Sequence, residues 1–177
     1  MIHIKSIPFS KRYSKDRGDR MKKILLFTFI LFLAACSKEA AVTTLEDPSP
    51  DQQLSSSEAG LSLTLSEDLY TGSPKVIETA IKNESQRNFG FGEYYYIEVE
   101  NNGEWYIVTH SDAVFLKNPH LIDYGYLLKA GSQMQQTFSL DLLGITLPPG
   151  EYRLVKTFLS QDEPFYEVSL SSPFTVE

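Results

Sequence analysis

The sequence predicts an all-β protein: a Greek-key β-sandwich of about seven short strands that follows an N-terminal leader and a polar linker. Several runs of four to eight residues after Gly60 alternate apolar with polar side chains, and turn-forming residues separate these runs. No segment in this part has the sustained 3.6-residue apolar repeat that indicates a helix. The 118 residues from Gly60 to Glu177 are enough for one domain with its own core.

The strands are predicted from apolar side chains that lie two residues apart and therefore share one face. In chain order the runs are residues 61–65, 77–81, 94–99, 105–108, 133–140, 152–159 and 165–176. In the third run, Tyr95, Ile97 and Val99 are expected to face the core. Asn102 and Gly103 then predict a tight hairpin, because both residue types accept a positive φ.

The segment LPPGEYRL at residues 147–154 has the form of a tyrosine corner. In this motif a tyrosine at the start of the sixth strand of an immunoglobulin domain bonds back to the backbone of the preceding turn, and a cysteine stands two residues later. Here Tyr152 holds the tyrosine position and Leu154 holds the cysteine position. We therefore expect an apolar core where antibody domains have a disulfide.

With this motif the chain resembles the bacterial immunoglobulin-like domains found in lipoproteins and other exported proteins of Gram-positive bacteria. The matching stretches are GEYYYIE at 92–98, GEWY at 103–106, YGYLLKAG at 124–131 and LPPGEYRLVK at 147–156. The resemblance covers nearly all of residues 60–177, and Ala130 stands where family members typically have a proline in a turn. It implies an immunoglobulin-like fold in an exported protein, and it implies no catalytic residue.

Residues 1–35 are predicted to contain a lipoprotein signal peptide. Lys22-Lys23 precede a twelve-residue apolar segment that at about 1.5 Å per residue is ~18 Å long, too short for the ~30 Å core of a bilayer. Its end, Leu33-Ala34-Ala35-Cys36, resembles the lipobox of bacterial lipoproteins. The resemblance implies that a diacylglyceryl group, carrying fatty acids such as palmitate, is attached to the Cys36 sulfur and that the preceding residues are removed.

Met21 is predicted to be the true start of translation. Residues 1–20 are polar and basic, and they have no apolar repeat that could build a core. Met21 directly precedes the two lysines that open the signal peptide. We interpret residues 1–20 as a gene-calling artefact; if they are translated, they only lengthen the basic segment.

The charge of the mature chain argues against some partners. Eight of the 16 Lys and Arg residues but two of the 23 Asp and Glu residues precede Cys36, which leaves 8 basic against 21 acidic residues and a formal net charge of −13. Such a chain is not expected to bind nucleic acid, whose phosphates require Lys and Arg, or to lie flat on anionic lipid. Cys36 is the only cysteine in the sequence, so burial rather than a disulfide must hold the domain together.

Residues 36–59 are predicted to be a disordered, acidic linker. They are rich in Ser, Glu, Asp, Gln, Thr and Pro and contain no aromatic residue, so they have too little apolar surface to offset the entropy of ordering. About 22 flexible residues reach roughly 25–30 Å. That reach is enough to lift a domain clear of the lipid headgroups.

Patterns that indicate catalysis or metal binding are weak. The chain has no G-x-S-x-G turn and no glycine-rich phosphate loop before a helix, so we expect no enzymatic activity and no cofactor. His110 and Asp112, together with His120 and Asp123, could offer four ligands to Zn²⁺. Their spacing across an irregular loop fixes no geometry, and we expect no metal site.

Tyrosines form the best candidate contact surface. Tyr94, Tyr96 and Tyr106 are expected to point away from the core-facing neighbours on their strands, with Tyr124 and Tyr126 close by. Clustered exposed tyrosines favour protein or glycan recognition, because the ring packs while the hydroxyl forms hydrogen bonds. The alternative is that they complete cross-strand pairs within the sheet.

The predicted function is that of a non-catalytic binding module. The lipid on Cys36 would hold the chain at the extracytoplasmic face of the cell membrane, where the domain binds a protein or polysaccharide of the envelope. The alternative is an inhibitor or regulator of an envelope enzyme, which would insert loop 111–126 into its target. This loop is the longest stretch without a strand pattern.

Overall fold

The structure, a computed structural model, describes residues 42–110 and 125–177. Its strands are β1 (Ser57–Glu58), β2 (Leu61–Leu65), β3 (Leu69–Tyr70), β4 (Val76–Asn83), β5 (Phe89–Phe91), β6 (Tyr96–Asn101), β7 (Glu104–Ile107), β8 (Tyr126–Leu128), β9 (Gln133–Ser139), β10 (Gly150–Ser160) and β11 (Glu167–Val176). A short helix, α1 (Leu140–Leu143), joins β9 to β10. Within these two ranges, no helix has the length and apolar character needed to cross a membrane.

Two sheets pack face to face as a β-sandwich. The smaller sheet has the strand order β1-β2-β4-β9, and the larger has the order β3-β11-β10-β5-β8 with β6 added to β10 and β7 added to β6. The chain changes sheet after β2, β3, β4, β8 and β9, and Greek-key connections of this kind join the two sheets of a sandwich. The predicted all-β Greek-key sandwich is confirmed. The described residues contain four strands beyond the seven predicted ones. These four, β1, β3, β5 and β8, have only two or three residues each.

The predicted alternation is confirmed in the strands of the core. Leu61 and Leu63 in β2 and Ile77 and Ile81 in β4 are at most 1% exposed. Their side chains lie between the sheets, and burying each one contributes roughly 1.5–3 kcal/mol. Two groups of packed apolar side chains fill the space between the sheets in the described residues.

The tyrosine corner is confirmed at the start of β10. The Tyr152 hydroxyl donates a hydrogen bond of 2.7 Å to the carbonyl of Pro148. Its buried ring stacks on Phe174, with 5.6 Å between ring centroids. Leu154 is fully buried in the position where antibody domains have a cysteine, so an apolar side chain fills the space of the disulfide.

The hairpin between β6 and β7 also forms as predicted. Asn101 pairs with Glu104, and the two residues between them, Asn102 and Gly103, have φ values of 56° and 87°. A two-residue turn with both φ values positive matches the right-handed twist of the flanking strands. This turn fixes which residues of β6 and β7 lie opposite each other.

Residues 42–56, which we call the strap, lie along the larger sheet. The prediction of a disordered linker is therefore wrong for this part of residues 36–59. The Leu45 amide donates to the Ile107 carbonyl at 2.9 Å, and the Ser49 amide donates to the Trp105 carbonyl at 2.8 Å. The first half of the strap thus follows the edge of β7.

The second half of the strap crosses the outer face of the larger sheet to reach β11. The Gln52 side chain accepts from the Trp105 amide at 2.8 Å and donates to the Trp105 carbonyl at 3.1 Å. At β11, the Ser171 hydroxyl donates to the Leu54 carbonyl and the Ser171 amide donates to the Ser55 carbonyl. The strap is ordered by hydrogen bonds of its backbone and of the Gln52 carboxamide. These hydrogen bonds compensate for the small amount of apolar surface that the strap can bury.

Candidate binding surface

A buried ion pair lies beneath the strap. Glu98 of β6 and Arg153 of β10 are directly paired, and their side chains are 1% and 4% exposed. Arg153 Nε donates to the Glu98 carboxylate, while Nη1 and Nη2 donate to the carbonyls of Gln52 and Asp51 at 3.2 and 2.7 Å. The guanidinium also lies 4.6 Å from the centre of the Trp105 ring. A buried charge is tolerated only when it is paired and hydrogen-bonded, so the strap completes the environment that this pair needs.

Lys156 has a structural role at a break in the sheet. Strands β5 and β6 both pair with β10, but the residues between them leave the ladder. The Lys156 ammonium, on a residue that is 1% exposed, donates to the carbonyls of Gly92 and Tyr94 in this break. It lies 5.6 Å from the ring centroids of both Phe91 and Phe138. A charged donor therefore replaces the backbone amides that would otherwise satisfy these carbonyls.

The structure brings together two of the predicted contact tyrosines. Tyr94 is 59% exposed and lies beside the half-buried Tyr96, with 6.1 Å between ring centroids. Burial, and secondly the nearby Glu98 carboxylate, raises the pKa of Tyr96 to about 12. The pair thus presents one exposed and one partly enclosed ring.

Tyr106 does not join this pair, and the expectation that it projects from the same side is wrong. In the β6–β7 ladder Tyr106 lies opposite Val99, and directly opposed residues share a face. Val99 packs against the core cluster, so Tyr106 is on the inner side, while Tyr96 is on the outer side. The Tyr106 hydroxyl donates to Glu104 at 3.1 Å. The two-residue turn determines this arrangement, so the sequence carried enough information to predict it.

Tyr126 belongs to a different part of the surface. It is 46% exposed, and its ring stacks on Phe91 with 5.5 Å between centroids. Its hydroxyl donates to Glu93 at 3.0 Å, and this hydrogen bond to a carboxylate raises the pKa of Tyr126. Tyr124 and most of loop 111–126 lie outside the described residues, as do the lipobox residues up to Cys36.

One of the four candidate metal ligands lies within the described residues. His110 is half-buried at the end of the first described range, whereas Asp112, His120 and Asp123 lie outside the described residues. In the two described ranges, no three His, Cys, Asp or Glu side chains come together as a metal site requires.

An open groove of about 410 Å³ lies on the larger sheet, next to Tyr126. We call it the Gly90 groove, and its principal lining residues are Gly90, Gly92, Tyr126, Leu127, Leu159 and Gln161. Its floor forms because the inward side chains Phe89 and Phe91 alternate with outward Gly90 and Gly92. The F-G-F-G pattern at residues 89–92 was the sequence signal for this feature, and the tyrosine-based reasoning missed it.

The comparisons with known proteins identify a family. A sequence profile described as a bacterial Ig-like domain matches residues 57–175. No protein with a curated description matches the chain. One similar solved structure is a β-glucosidase from Erythrobacter marinus, with 13% identity over 67% of this chain and 15% of that chain and a TM-score of 0.35. This likeness is too low to support an argument about fold or activity. Since the family profile covers more than half of the sequence, the chain belongs to the bacterial Ig-like domain family.

Proposed function

We propose that this chain is a lipoprotein of the cell envelope whose Ig-like domain is a non-catalytic binding module. The observation that carries the proposal is the order of its segments. A sequence resembling a lipobox ends at Cys36, and the family match to a bacterial Ig-like domain begins at residue 57. The first segment supports attachment through acyl chains at the extracytoplasmic face of the membrane, and the second supports a module of the binding type.

The buried polar groups support a role without catalysis. Glu98 and Arg153 neutralise each other beneath the strap. Lys156 donates to main-chain carbonyls in the interior. These side chains complete the fold, whereas a catalytic group must reach a substrate.

The strap shortens the stretch of chain between the ordered domain and the proposed anchor. Since residues 42–56 are hydrogen-bonded to the sandwich, only the five residues 37–41 separate the lipidated Cys36 from Val42. The six peptide units from Cys36 to Val42 span at most ~20 Å even when fully extended, which is less than the reach expected for all of residues 36–59. We therefore propose that the domain stays near the membrane surface and binds a partner found there.

Substitution of the anchor residue tests the proposal. In cells given labelled palmitate, wild-type protein is expected in the membrane fraction with the label, and Cys36→Ala protein is expected without label and outside that fraction. Ser37→Ala is the matched control and should behave as wild type. Unchanged membrane association of the Cys36→Ala chain would contradict the proposed lipid anchor.

A further inference from the structure

We propose that the Gly90 groove binds an extended, positively charged peptide segment by taking up one of its apolar side chains. This inference rests on the proposed function, because it names the kind of partner that the binding module takes. It is carried by the shape of the groove, by its exposed apolar walls and by the charges around it.

The walls of the groove are two leucines that flank a glycine. Gly90 of β5 is directly paired with Leu127 of β8 on one side and with Leu159 of β10 on the other. Directly opposed residues share a face, and adjacent strands lie about 4.8 Å apart, so the two leucine backbones are roughly 10 Å apart. The leucines are 53% and 44% exposed. The missing side chain of Gly90 leaves a slot between them, and one apolar side chain of a ligand fits there once the flexible Gln161 side chain, which lies over the glycine, moves aside.

A polar group that can bind a peptide backbone lies over the floor of the slot. A Cβ atom at Gly90 would lie 2.5 Å from Nε2 of Gln161, so the Gln161 carboxamide lies across the glycine. That nitrogen donates to the exposed Leu159 carbonyl at 3.1 Å. A carboxamide offers both a donor and an acceptor, which match the main-chain groups of an extended peptide.

Acidic residues lie beside the apolar slot. Glu167 is paired with the leucine of β10, and Asp162 and Glu163 directly follow Gln161. A cation in this region, Arg87, donates to the main-chain carbonyls of Asp162 and Glu163 at 3.2 and 3.0 Å.

The described surface as a whole has an excess of negative charge. The described residues include 18 Asp and Glu but six Lys and Arg, and two of these six, Arg153 and Lys156, are buried. A surface of one charge sign attracts ligands of the opposite sign and speeds their association. Charge complementarity therefore favours a ligand with Lys or Arg on both sides of its apolar residue.

A peptide fits these features better than a glycan. A neutral sugar is not attracted by the negative charge of the surrounding carboxylates, and an anionic polymer is repelled by it. The leucine walls offer no hydrogen-bonding groups to sugar hydroxyls, whereas they pack against an aliphatic or aromatic side chain.

The test uses the full chain in nanodiscs of zwitterionic lipid, with empty discs as the blank. Binding is measured by fluorescence polarisation with three labelled heptapeptides. The first alternates Lys with Leu, the second alternates Lys with Ser, and the third alternates Glu with Leu. The Lys-Leu peptide is expected to bind, and Leu127→Ser or Leu159→Ser is expected to raise its Kd at least tenfold. Leu69→Ser, at a position that is 54% exposed in β3, is the matched control and should change Kd less than twofold.

A second variant fills the slot instead of removing its walls. Gly90→Leu places a side chain on the floor of the slot, and Gln161→Ala removes the amide that this side chain would otherwise meet. The double variant should also abolish binding of the Lys-Leu peptide. Urea unfolding of each variant separates loss of binding from loss of fold.

Three results would overturn the inference: equal binding of the Lys-Ser peptide, unchanged affinity of the leucine variants, or tighter binding of neutral chitohexaose. Absence of peptide binding by a chain whose membrane attachment depends on Cys36 would overturn this inference and leave the lipid anchor of the proposed function standing.

Discussion

Replacing Arg153 by methionine is expected to destabilise the domain by about 3–5 kcal/mol, because it leaves a buried carboxylate without its cation. Glu98 is 1% exposed, so water cannot replace the guanidinium without opening the strap. The variant also loses the hydrogen bonds to Asp51 and Gln52 and the contact with the Trp105 ring. These losses share one side chain and are not additive, so we take the ion-pair figure as the whole effect.

Two measurements check this prediction. Urea unfolding should show the loss directly, and thermal unfolding should show a fall in Tm on the order of 10–20 °C for a domain of this size. Hydrogen exchange should show faster exchange of the Leu45 and Ser49 amides, because these strap amides are bonded to carbonyls of β7. Lys82→Met, at an exposed position of β4, is the control and should change stability by less than about 0.5 kcal/mol.

A double variant distinguishes a buried ion pair from simple loss of packing. Glu98→Met combined with Arg153→Met removes both charges, and it should recover most of the stability lost by Arg153→Met alone. The reasoning is refuted if Arg153→Met costs less than about 1 kcal/mol. It is also refuted if the double variant is no more stable than the single one.

Three further predictions concern the corner, a turn and pH. Tyr152→Phe removes the donor to the Pro148 carbonyl and should lower the free energy of unfolding in urea by about 1–2 kcal/mol. An unchanged urea midpoint would contradict a stabilising role for the tyrosine-corner hydrogen bond. Gly60→Ala should cost roughly 1–3 kcal/mol, because Gly60 has a φ of +80° and a Cβ would lie 2.8 Å from Ser85 Cβ; wild-type stability would show that the turn can adjust. Burial raises the pKa of Tyr96 to about 12, so the folded chain holds this proton more tightly than the unfolded chain, in which tyrosine titrates near pH ~10. Stability is therefore retained below pH ~10 and falls as the pH rises toward 12. The decline should be smaller in Tyr96→Phe, and equal declines would contradict this assignment.

The features that the sequence predicted correctly are set by short-range patterns. Alternation within Leu61–Leu65 decides which side chains face the core, and Asn102 with Gly103 decides the turn. The tyrosine corner is equally local, since Tyr152 bonds to a carbonyl four residues away. Each of these depends on residues that are neighbours in the chain, so their types alone indicate the structure.

The strap could not be predicted because its partners are distant in the sequence. Asp51 and Gln52 bind Arg153 through main-chain carbonyls, about one hundred residues away, and any residue type supplies a carbonyl. A composition poor in apolar residues therefore gave the wrong expectation of disorder. The break that Lys156 fills is equally invisible, because it depends on how two strands pair with a third.

The candidate surface was predicted only in part. Tyr94 and Tyr126 are exposed, as expected. Tyr106 was expected on the outer side, but the two-residue turn pairs it with the inward Val99 and so places it on the inner side. The Gly90 groove depends on pairing between β5, β8 and β10, and that pairing is not determined by any one of these segments.

The mass of the N-terminal peptide of the mature protein, isolated from the membranes of its own cells, tests the central claim most directly. This peptide is expected to begin at Cys36, and its mass is expected to include a diacylglyceryl group. A mature chain that retains residues before Cys36, or whose Cys36 carries no lipid, would contradict the proposed lipid anchor.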